Sequence, residues 1–405
     1  MEHPSTRFLR HLHRARRTLL FCVSIYCTLL ATTSFATSYA LPPPQEGMIG
    51  AISHTTISGE QTLLDVARQF DLGYNEIIAA NPDVDPWLPG VGTRVVVPTR
   101  FLLPAAARHG IVINVPEMRL YYYPPQEHAQ HGRVITFPVG VGSERWETPL
   151  GQYKIIEKNR DPSWVLPASI IAELEARGKT PPKVLPPGPN NPLGQYALRL
   201  NAPSYLLHGT NRPYTIGRRV THGCLRLYPE DIEQLFALVS EETPVNIVNQ
   251  PYKAALDHDG ALYLEAHAAL VNGYGDGAGS KTAAVAAVVG ATQFRKPSPQ
   301  VWDKVMAATA QRSGMPVYIE TLPAANEAWL LQVGLFNSDS AAQRLKDKMT
   351  AIDLPGNVLH TQGSRYHRVV VGPFTDRDLL DRSTQKIKQA VGTDSLIVAV
   401  EDTVF

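Results

Sequence analysis

A long run without any charge, placed behind a group of arginines, sets the first limit on how this 405-residue chain can fold. The arginines are Arg7, Arg10, Arg14, Arg16 and Arg17. They precede "TLLFCVSIYCTLLATTSFATSYALPPPQ" (18–45), which contains no Asp, Glu, Lys or Arg. A basic start, an apolar middle and small residues at "SFA" (34–36) or "SYA" (38–40) are typical of a secretory signal peptide. An uncleaved membrane anchor is the alternative, because about 18 apolar residues can just span a bilayer.

We therefore expect residues 1–40 to be a signal peptide or an N-terminal anchor, and the rest of the chain to lie outside the cytoplasm. Two of the three cysteines, Cys22 and Cys27, fall in this leader, so its removal would leave only Cys224. A single cysteine cannot form an internal disulfide. The Cys224 thiol is then buried and inert, paired with another molecule, or reactive.

Length and composition indicate several ordinary domains. At 405 residues the expectation is two to four domains, and a hydrophobic content of 44% is enough to build packed cores. The 38 basic and 37 acidic side chains give a formal charge of +1. The chain therefore has no strong net charge that would indicate nucleic acid or anionic lipid as a partner.

Residues 50–99 contain the pattern of a small β-α-α-β unit. Leu63, Leu64, Val66, Ala67 and Phe70 recur at helical spacing. A second short helix is expected to end at "NP" (81–82), and "GTRVVVP" (92–98) reads as a strand. The unit resembles a LysM domain, which binds glycans that contain N-acetylglucosamine. A small packing module without a ligand is the alternative.

Residues 108–250 are mainly strand-forming. "GIVINV" and "RLYYYP" are joined by "PE" and predict a hairpin. A proline-rich stretch, "PPKVLPPGPNNP" (181–192), is too long and irregular for a tight turn, and such segments are usually functional or disordered. Pro229 is expected to begin a helix, with Glu230 and Asp231 in its first turn.

The C-terminal third is expected to contain an extension and linker (251–325) and a further domain (326–402). In the extension, "ALYLEA" and "PVYIE" predict strands, Val301–Ala310 a helix, and the Ala/Gly-rich stretch 273–291 partial flexibility. The last part predicts a β-α-β-β-α-β order. Its "QVGLF" and "VGPF" segments resemble a SPOR domain, a ferredoxin-like α+β module that binds peptidoglycan. A different α+β module is the alternative.

The residues around the lone thiol are suited to acyl transfer. This chemistry needs a sulfur nucleophile, a base to take its proton and a group to orient the base. His208 ends the apolar run "SYLLHG", sixteen residues before Cys224, and His222 lies two residues before it on the same face of the strand if the chain is extended. Three zinc ligands are the alternative, although the spacing is poor and no fourth ligand is evident.

"HGT" at 208–210 followed by "THGCLRL" at 221–227 resembles the signature of the L,D-transpeptidase (YkuD-like) catalytic domain over about 108–250. The resemblance implies a mainly β sandwich that uses Cys224 as nucleophile and His208 as proton donor and acceptor. We expect His222 to assist or to be structural. The backbone carbonyl of Gly209 is expected to orient His208, and the Gly223 backbone N–H to contribute to an oxyanion hole.

Two further residues, Arg226 and Thr221, are expected to contact substrate. A guanidinium suits a stem-peptide carboxylate, although an ion pair of Arg226 with Asp231 or Glu230 is equally open. The expected whole is a multidomain protein in which the β sandwich is flanked by the LysM-like and SPOR-like modules. No cofactor and no metal are expected, since no P-loop, dinucleotide fingerprint or HExxH motif is present.

The resemblance implies a periplasmic enzyme that takes a tetrapeptide stem of peptidoglycan onto Cys224 as a thioester, with release of D-alanine. The acyl group then passes to an amine, giving a 3-3 crosslink or an anchored lipoprotein, in cell wall biogenesis. The expected partners are stem peptides, glycan strands and a lipoprotein acceptor, with no nucleic acid, and with a membrane only through an uncleaved N-terminus. The alternatives are an L,D-carboxypeptidase, a cysteine peptidase of wall peptides and a non-catalytic peptidoglycan-binding scaffold.

Overall fold

The computed structural model describes residues 37–44, 46–270, 279–292, 297–322, 329–360, 366–374, 377–392 and 395–399. Most of the expected leader, including Cys22 and Cys27, lies outside these residues. The last four residues of that leader do not, because Thr37–Ala40 form a strand, β1. Within the described part of the chain, no helix is both long enough and apolar enough to cross a membrane.

The β-α-α-β order expected near the N-terminus is present. It consists of β2 (Met48–Thr56), α1 (Leu63–Gln69), α2 (Tyr74–Ala80) and β3 (Arg94–Leu102). The two strands pair antiparallel along their whole length. Helix α1 begins where Thr62 and Asp65 form a capping box: each side chain bonds the backbone N–H of the other residue, at 3.1 and 2.8 Å. Buried aliphatic residues of both helices pack on the two strands.

The central part of the chain builds one large sheet and a small amount of helix. Its strands are β4 (Gly110–Asn114), β5 (Arg119–Tyr123), β6 (Arg133–Pro138), β7 (Val141–Gly142), β8 (Gly151–Arg160), β9 (Trp164–Val165), β10 (Val184–Leu185), β11 (Tyr196–Leu200), β12 (Leu206–His208), β13 (Arg219–Thr221), β14 (Leu225–Arg226) and β15 (Pro244–Val248). Its helices are α3 (Ala168–Ala176), a 3₁₀ turn (Pro213–Thr215) and α4 (Pro229–Leu238).

Eight of these strands, together with β1, form a nine-stranded sheet in the order β1-β6-β5-β4-β15-β8-β11-β12-β14. The predicted β4–β5 hairpin is present, with Gly110 opposite Tyr123. One face of the sheet packs on α4 through a core that includes Ile113, Leu198 and Leu235. At one edge of the sheet, β12 ends on the histidine of the motif and β14 begins directly after its cysteine.

The region expected as an extension and linker has a core of its own. Three antiparallel strands, β16 (Tyr252–Leu256), β17 (Ala261–Ala266) and β18 (Val317–Thr321), pack against α5 (Lys281–Thr292) and α6 (Val301–Gln311). Much of the Ala/Gly-rich stretch therefore belongs to a helix, because Ala284 and Val288 are fully buried against the strands. The part of that stretch at 273–278 lies outside the described residues.

The C-terminal domain has the predicted β-α-β-β-α-β order. Its elements are β19 (Trp329–Phe336), α7 (Asp339–Thr350), β20 (Gly356–His360), β21 (His367–Phe374), α8 (Arg377–Val391) and β22 (Leu396–Ala399). The sheet order β20-β21-β19-β22 places the first and third strands in the centre, which is the ferredoxin-like arrangement. The "VGPF" segment ends β21, and its Phe374 is buried in the core of this domain.

Candidate functional site: a thiol and a buried imidazole on adjacent strands

The pairing of β12 with β14 sets His208 beside the segment that follows Cys224. These strands are parallel, with Leu207 opposite Leu225 and His208 opposite Arg226. Leu207 and Leu225 are both buried in the core. Because side chains alternate along a strand, His208 and Arg226 occupy the other face. Cys224 lies directly before Leu225, and the charge of Arg226 acts on both Cys224 and His208.

His208 is held in its neutral form. Its side chain is buried, and its Nδ1 donates a hydrogen bond to the carbonyl of Gly209 at 2.6 Å, since a carbonyl can only accept. This contact fixes the ring orientation and the tautomer, as expected from the sequence. Burial, and next the charge of Arg226, lower the pKa of His208 to about 3. The imidazole is therefore unprotonated at neutral pH.

Cys224 is also held in its neutral form. Burial raises the pKa of the thiol, while the Leu206 backbone N–H and the charge of Arg226 act in the opposite direction. The Sγ donates to the carbonyl of Ser204 at 3.4 Å. Burial therefore favours the uncharged thiol over the thiolate. Both the thiol and the imidazole of His208 are uncharged in the folded protein at neutral pH.

Arg226 supplies the positive charge of the site. Its pKa is lowered by burial, and its charge acts on both His208 and Cys224. Its Nε is buried and has no hydrogen-bond partner among the described residues. The alternative pairing with Glu230 is wrong, because Glu230 binds Arg68 through two hydrogen bonds of 2.7 and 2.8 Å.

The turn between β13 and Cys224 depends on Thr221 and Gly223. The Thr221 hydroxyl donates to the carbonyl of Cys224 at 2.6 Å and accepts from the N–H of Gly223 at 3.1 Å. Thr221 is 1% exposed, so its side chain shapes the turn and does not face a substrate. The hydrogen bond from the Gly223 N–H to the Thr221 hydroxyl occupies the donor that was expected in the oxyanion hole.

Gly223 has a φ of +99°, a conformation that favours glycine. The chain from His222 to Cys224 is therefore not extended, and the two side chains do not share a strand face as the sequence argument assumed. His222 instead donates from Nε2 to Glu173 at 3.0 Å, and its ring lies 5.6 Å from that of Trp146. Glu173 was not identified from the sequence, because nothing in its spacing connects α3 to a turn forty-nine residues later.

Residues 161–192, here called the cover segment, include α3 and the proline-rich stretch. Strands β9 and β10 pair antiparallel within it. Asn191 Nδ2 donates to the carbonyl of Pro162 at 2.8 Å, which ties the two ends of the segment together. Asn211 donates to the carbonyl of Pro189 at 3.3 Å, which joins the cover segment to the loop that leads from His208 to β13.

The alternative of three zinc ligands requires converging ligand atoms. Within the described residues, the group whose ligand atoms all lie within 4.8 Å of one another is Glu117, Glu265 and His267, which is remote from Cys224 in the sequence. The Nζ of Lys253 lies 2.7 Å from both carboxylates, so an ammonium already takes the position between them.

Comparisons with known proteins identify two domains of the chain. The model of the L,D-transpeptidase catalytic domain matches residues 108–247, and that of the SPOR domain matches 325–399. The chain is 38% identical to the probable L,D-transpeptidase YcfS of Escherichia coli over 63% of this chain and 80% of that protein. It is 34% identical to the probable L,D-transpeptidase ErfK/SrfK of the same species, over 76% of this chain and 98% of that protein. It is 36% identical to the probable L,D-transpeptidase YbiS, also of that species, over 74% of this chain and 97% of that protein.

Proposed function

Since this chain belongs to the L,D-transpeptidase family, we propose that it transfers peptidoglycan stem peptides through a thioester on Cys224. The donor is a tetrapeptide stem, attacked at the carbonyl of its third residue. The acceptor is an amine, either of a second stem, which gives a 3-3 crosslink, or of a lipoprotein lysine. The observation that carries the proposal is the β12–β14 register, which sets His208 opposite Arg226, two residues after Cys224.

In the first half-reaction, the sulfur attacks the carbonyl carbon while His208 takes the thiol proton. A concerted transfer fits two neutral groups better than a preformed thiolate does, because burial raises the pKa of the thiol and lowers that of the imidazole. The C–N bond to D-alanine then breaks, and the protonated His208 gives its proton to the leaving amine. The enzyme is left as a thioester with His208 neutral again.

Backbone N–H groups and Arg226 would stabilise the negative charge that develops during attack on the carbonyl. The Gly223 N–H is bonded to Thr221, so we assign the oxyanion contact to the neighbouring Cys224 N–H. The unpartnered Nε of Arg226 supports binding of a substrate carboxylate, since a buried guanidinium without an acceptor is costly. The same charge favours the sulfur anion on the way to the transition state.

In the second half-reaction, an amine or water can attack the thioester. The contacts of the cover segment with His222 and with Asn211 of the 208–220 loop support transfer over hydrolysis. A site screened from bulk water by a bound segment protects a reactive intermediate until the acceptor enters.

The flanking modules support a location at the cell wall. We propose that the chain is exported to the periplasm, that the SPOR domain binds glycan strands, and that residues 50–99 act as a LysM glycan binder. Trp87 and Leu88, at 51% and 83% exposure, form an apolar tip before β3 that could stack on sugar rings. Weak binding on both sides of the catalytic domain raises the local concentration of stems.

The reaction is tested by incubating the full chain with tetrapeptide muropeptides and analysing the products by mass spectrometry. The proposal expects dimers that lack one D-alanine. Cys224→Ser and His208→Ala should each abolish them, whereas His109→Ala, a change at an exposed histidine, should leave them unaffected.

The other outcomes identify the alternatives. Tripeptide without dimers would indicate an L,D-carboxypeptidase, and other fragments a cysteine peptidase of wall peptides. Pelleting with peptidoglycan, without any product, would indicate a scaffold. For the N-terminal module, Trp87→Ala in the full chain should weaken pelleting, and unchanged pelleting would contradict the LysM proposal.

A further inference from the structure

A group of acids lies where β1, the N-terminal β-α-α-β unit and the start of α4 meet. Two of its carboxylates have cations of their own. Glu76 binds the buried Arg119 through contacts of 2.7 and 2.8 Å, and Glu230 binds Arg68 through contacts of the same lengths. In each pair, two nitrogens of one guanidinium bond the two oxygens of one carboxylate, so both pairs are bidentate.

The other two carboxylates, Asp71 and Asp231, lack such a partner. Asp231 is 1% exposed, and neither of its carboxylate oxygens has a hydrogen-bond partner among the described residues. Asp71 is 5% exposed. After burial, the negative charge of Asp71 is what most raises the pKa of Asp231, so the two acids are close enough to repel each other. Arg119 lowers the pKa of Asp71, but its guanidinium bonds the backbone carbonyl of that residue, at 2.8 Å.

Thr37 is the residue that bonds the Asp71 carboxylate. Its backbone nitrogen donates to Asp71 Oδ2 at 2.9 Å, and its hydroxyl donates to the same oxygen at 2.6 Å. As an internal amide, this nitrogen is neutral. As a chain terminus it would be an ammonium, and would bring a positive charge to an acid that is nearly dehydrated.

The sequence before Thr37 fits cleavage at that bond. Ser34 and Ala36 are the small residues expected three and one positions before a signal cleavage site. Cleavage after Ala40, the other possibility, would remove β1. That strand pairs with β6 from Thr37–Thr136 to Ala40–Arg133, and its Tyr39 packs edge-on against Phe101.

We propose that export ends with hydrolysis of the Ala36–Thr37 bond, and that the new α-ammonium of Thr37 forms a structural ion pair with Asp71. The reaction adds water across the peptide bond under a membrane-bound signal peptidase of the exporting cell. Ala36 leaves as a carboxylate, and the amine of Thr37 takes up a proton. Maturation thereby adds a cation in direct contact with Asp71, and fixes β1 at the edge of the large sheet.

The cleavage point is tested on the full chain, produced with its own leader in a Gram-negative host and recovered from the periplasm. Intact mass and N-terminal sequencing should give Thr-Ser-Tyr-Ala-Leu. A start at Leu41, or an unprocessed chain, would overturn the proposal.

The ion pair is tested by the rate at which the α-amine is acylated near pH 7, read from the N-terminal peptide. An ordinary α-amine has a pKa of about 7.7–8.0, and an ion pair that raises it by one unit slows labelling about tenfold. Asp71→Asn should restore fast labelling, whereas the exposed Asp83→Asn should not. Asparagine tolerates the φ of +51° at this position, so the fold should survive. Equal rates in the three proteins would refute the ion pair.

A second readout does not depend on a substitution in the acid cluster. One glycine added ahead of Thr37 in the mature chain keeps every side chain but moves the ammonium away from Asp71. The melting temperature should fall by roughly 2–4 °C, as for a modest loss of stability in a domain of this size. No change would count against the ion pair. Neither measurement uses transpeptidase activity, so their failure is distinct from failure of the proposed function.

Discussion

Glu173, on helix α3 of the cover segment, accepts a hydrogen bond of 3.0 Å from His222 Nε2. This contact holds the cover segment against the turn that presents Cys224. It also assigns the His222 proton to Nε2, because a carboxylate can only accept. The contact of His222 with the cover segment therefore favours the structural role over the assisting one.

We expect Glu173→Gln to loosen the cover segment and admit water to the thioester. A neutral amide holds His222 less well than a carboxylate does, because the charge-assisted bond is lost. The ratio of tripeptide to dimer should rise, by roughly two- to fivefold for a contact this exposed. Product analysis by mass spectrometry measures the ratio. Glu175→Gln, at an exposed position on the same helix, is the matched control, and an equal ratio in both variants would refute this function of Glu173.

The sequence was sufficient to predict features that depend on residues close together in the chain. The order of strands and helices follows from side-chain periodicity, and the "HGT…THGC" residues from their spacing. Contacts between segments that are distant in the chain could not be predicted from the sequence. Glu173 meets His222, and Thr37 meets Asp71, only because sheet pairing and domain packing bring them together. The neutral state of the thiol was also missed, since burial is a property of the fold.

Gly223 is the position where the turn cannot accept a side chain. A Cβ there would lie 2.8 Å from Tyr205 Cε1, and its φ of +99° is strained for other residues. Gly223→Ala should lower the free energy of unfolding by about 1–3 kcal/mol. It should also lower transpeptidation at least roughly a hundredfold, because the adjacent Cys224 is displaced.

Gly178→Ala is the control for Gly223→Ala. Gly178 also has a positive φ, of +72°, but a Cβ added there would meet no atom within 4 Å, and the residue lies outside the turn. Rates from dimer formation and urea unfolding should separate the two variants. If Gly178→Ala loses as much activity as Gly223→Ala, backbone strain in general, and not displacement of Cys224, is responsible.

His208 should make the enzyme less stable in acid. An unfolded histidine binds a proton below about pH 6.5, but the folded pKa of His208 is about 3, so between these values the unfolded state binds more protons. The free energy of unfolding should therefore fall as the pH falls, by up to about 1.4 kcal/mol per pH unit from this group. Above about pH 6.5 this dependence vanishes, because both states are neutral.

His208→Gln removes this titration. Urea unfolding at roughly pH 4.5 and pH 7.5 should show a smaller loss on acidification in the variant than in the wild type, by about 2–3 kcal/mol. The exposed His109→Gln should behave as the wild type does. Identical acid sensitivity in all three proteins would mean that burial does not lower the pKa of His208 in the folded state.

Lys253 joins the three-stranded module that follows the catalytic domain to the large sheet. Its Nζ lies 2.7 Å from Glu117 Oε1 and 2.7 Å from Glu265 Oε1, and all three side chains are at most 1% exposed. Glu265 also accepts from the backbone N–H of Leu102 at 2.6 Å. Lys253→Met leaves Glu117 and Glu265 buried together without the ammonium that they share. The free energy of unfolding should fall by about 3–5 kcal/mol, whereas Lys154→Met, which breaks an exposed pair with Glu242, should cost at most about 1 kcal/mol. A similar small loss in both variants would show that the buried carboxylates are protonated or hydrated once the lysine is gone.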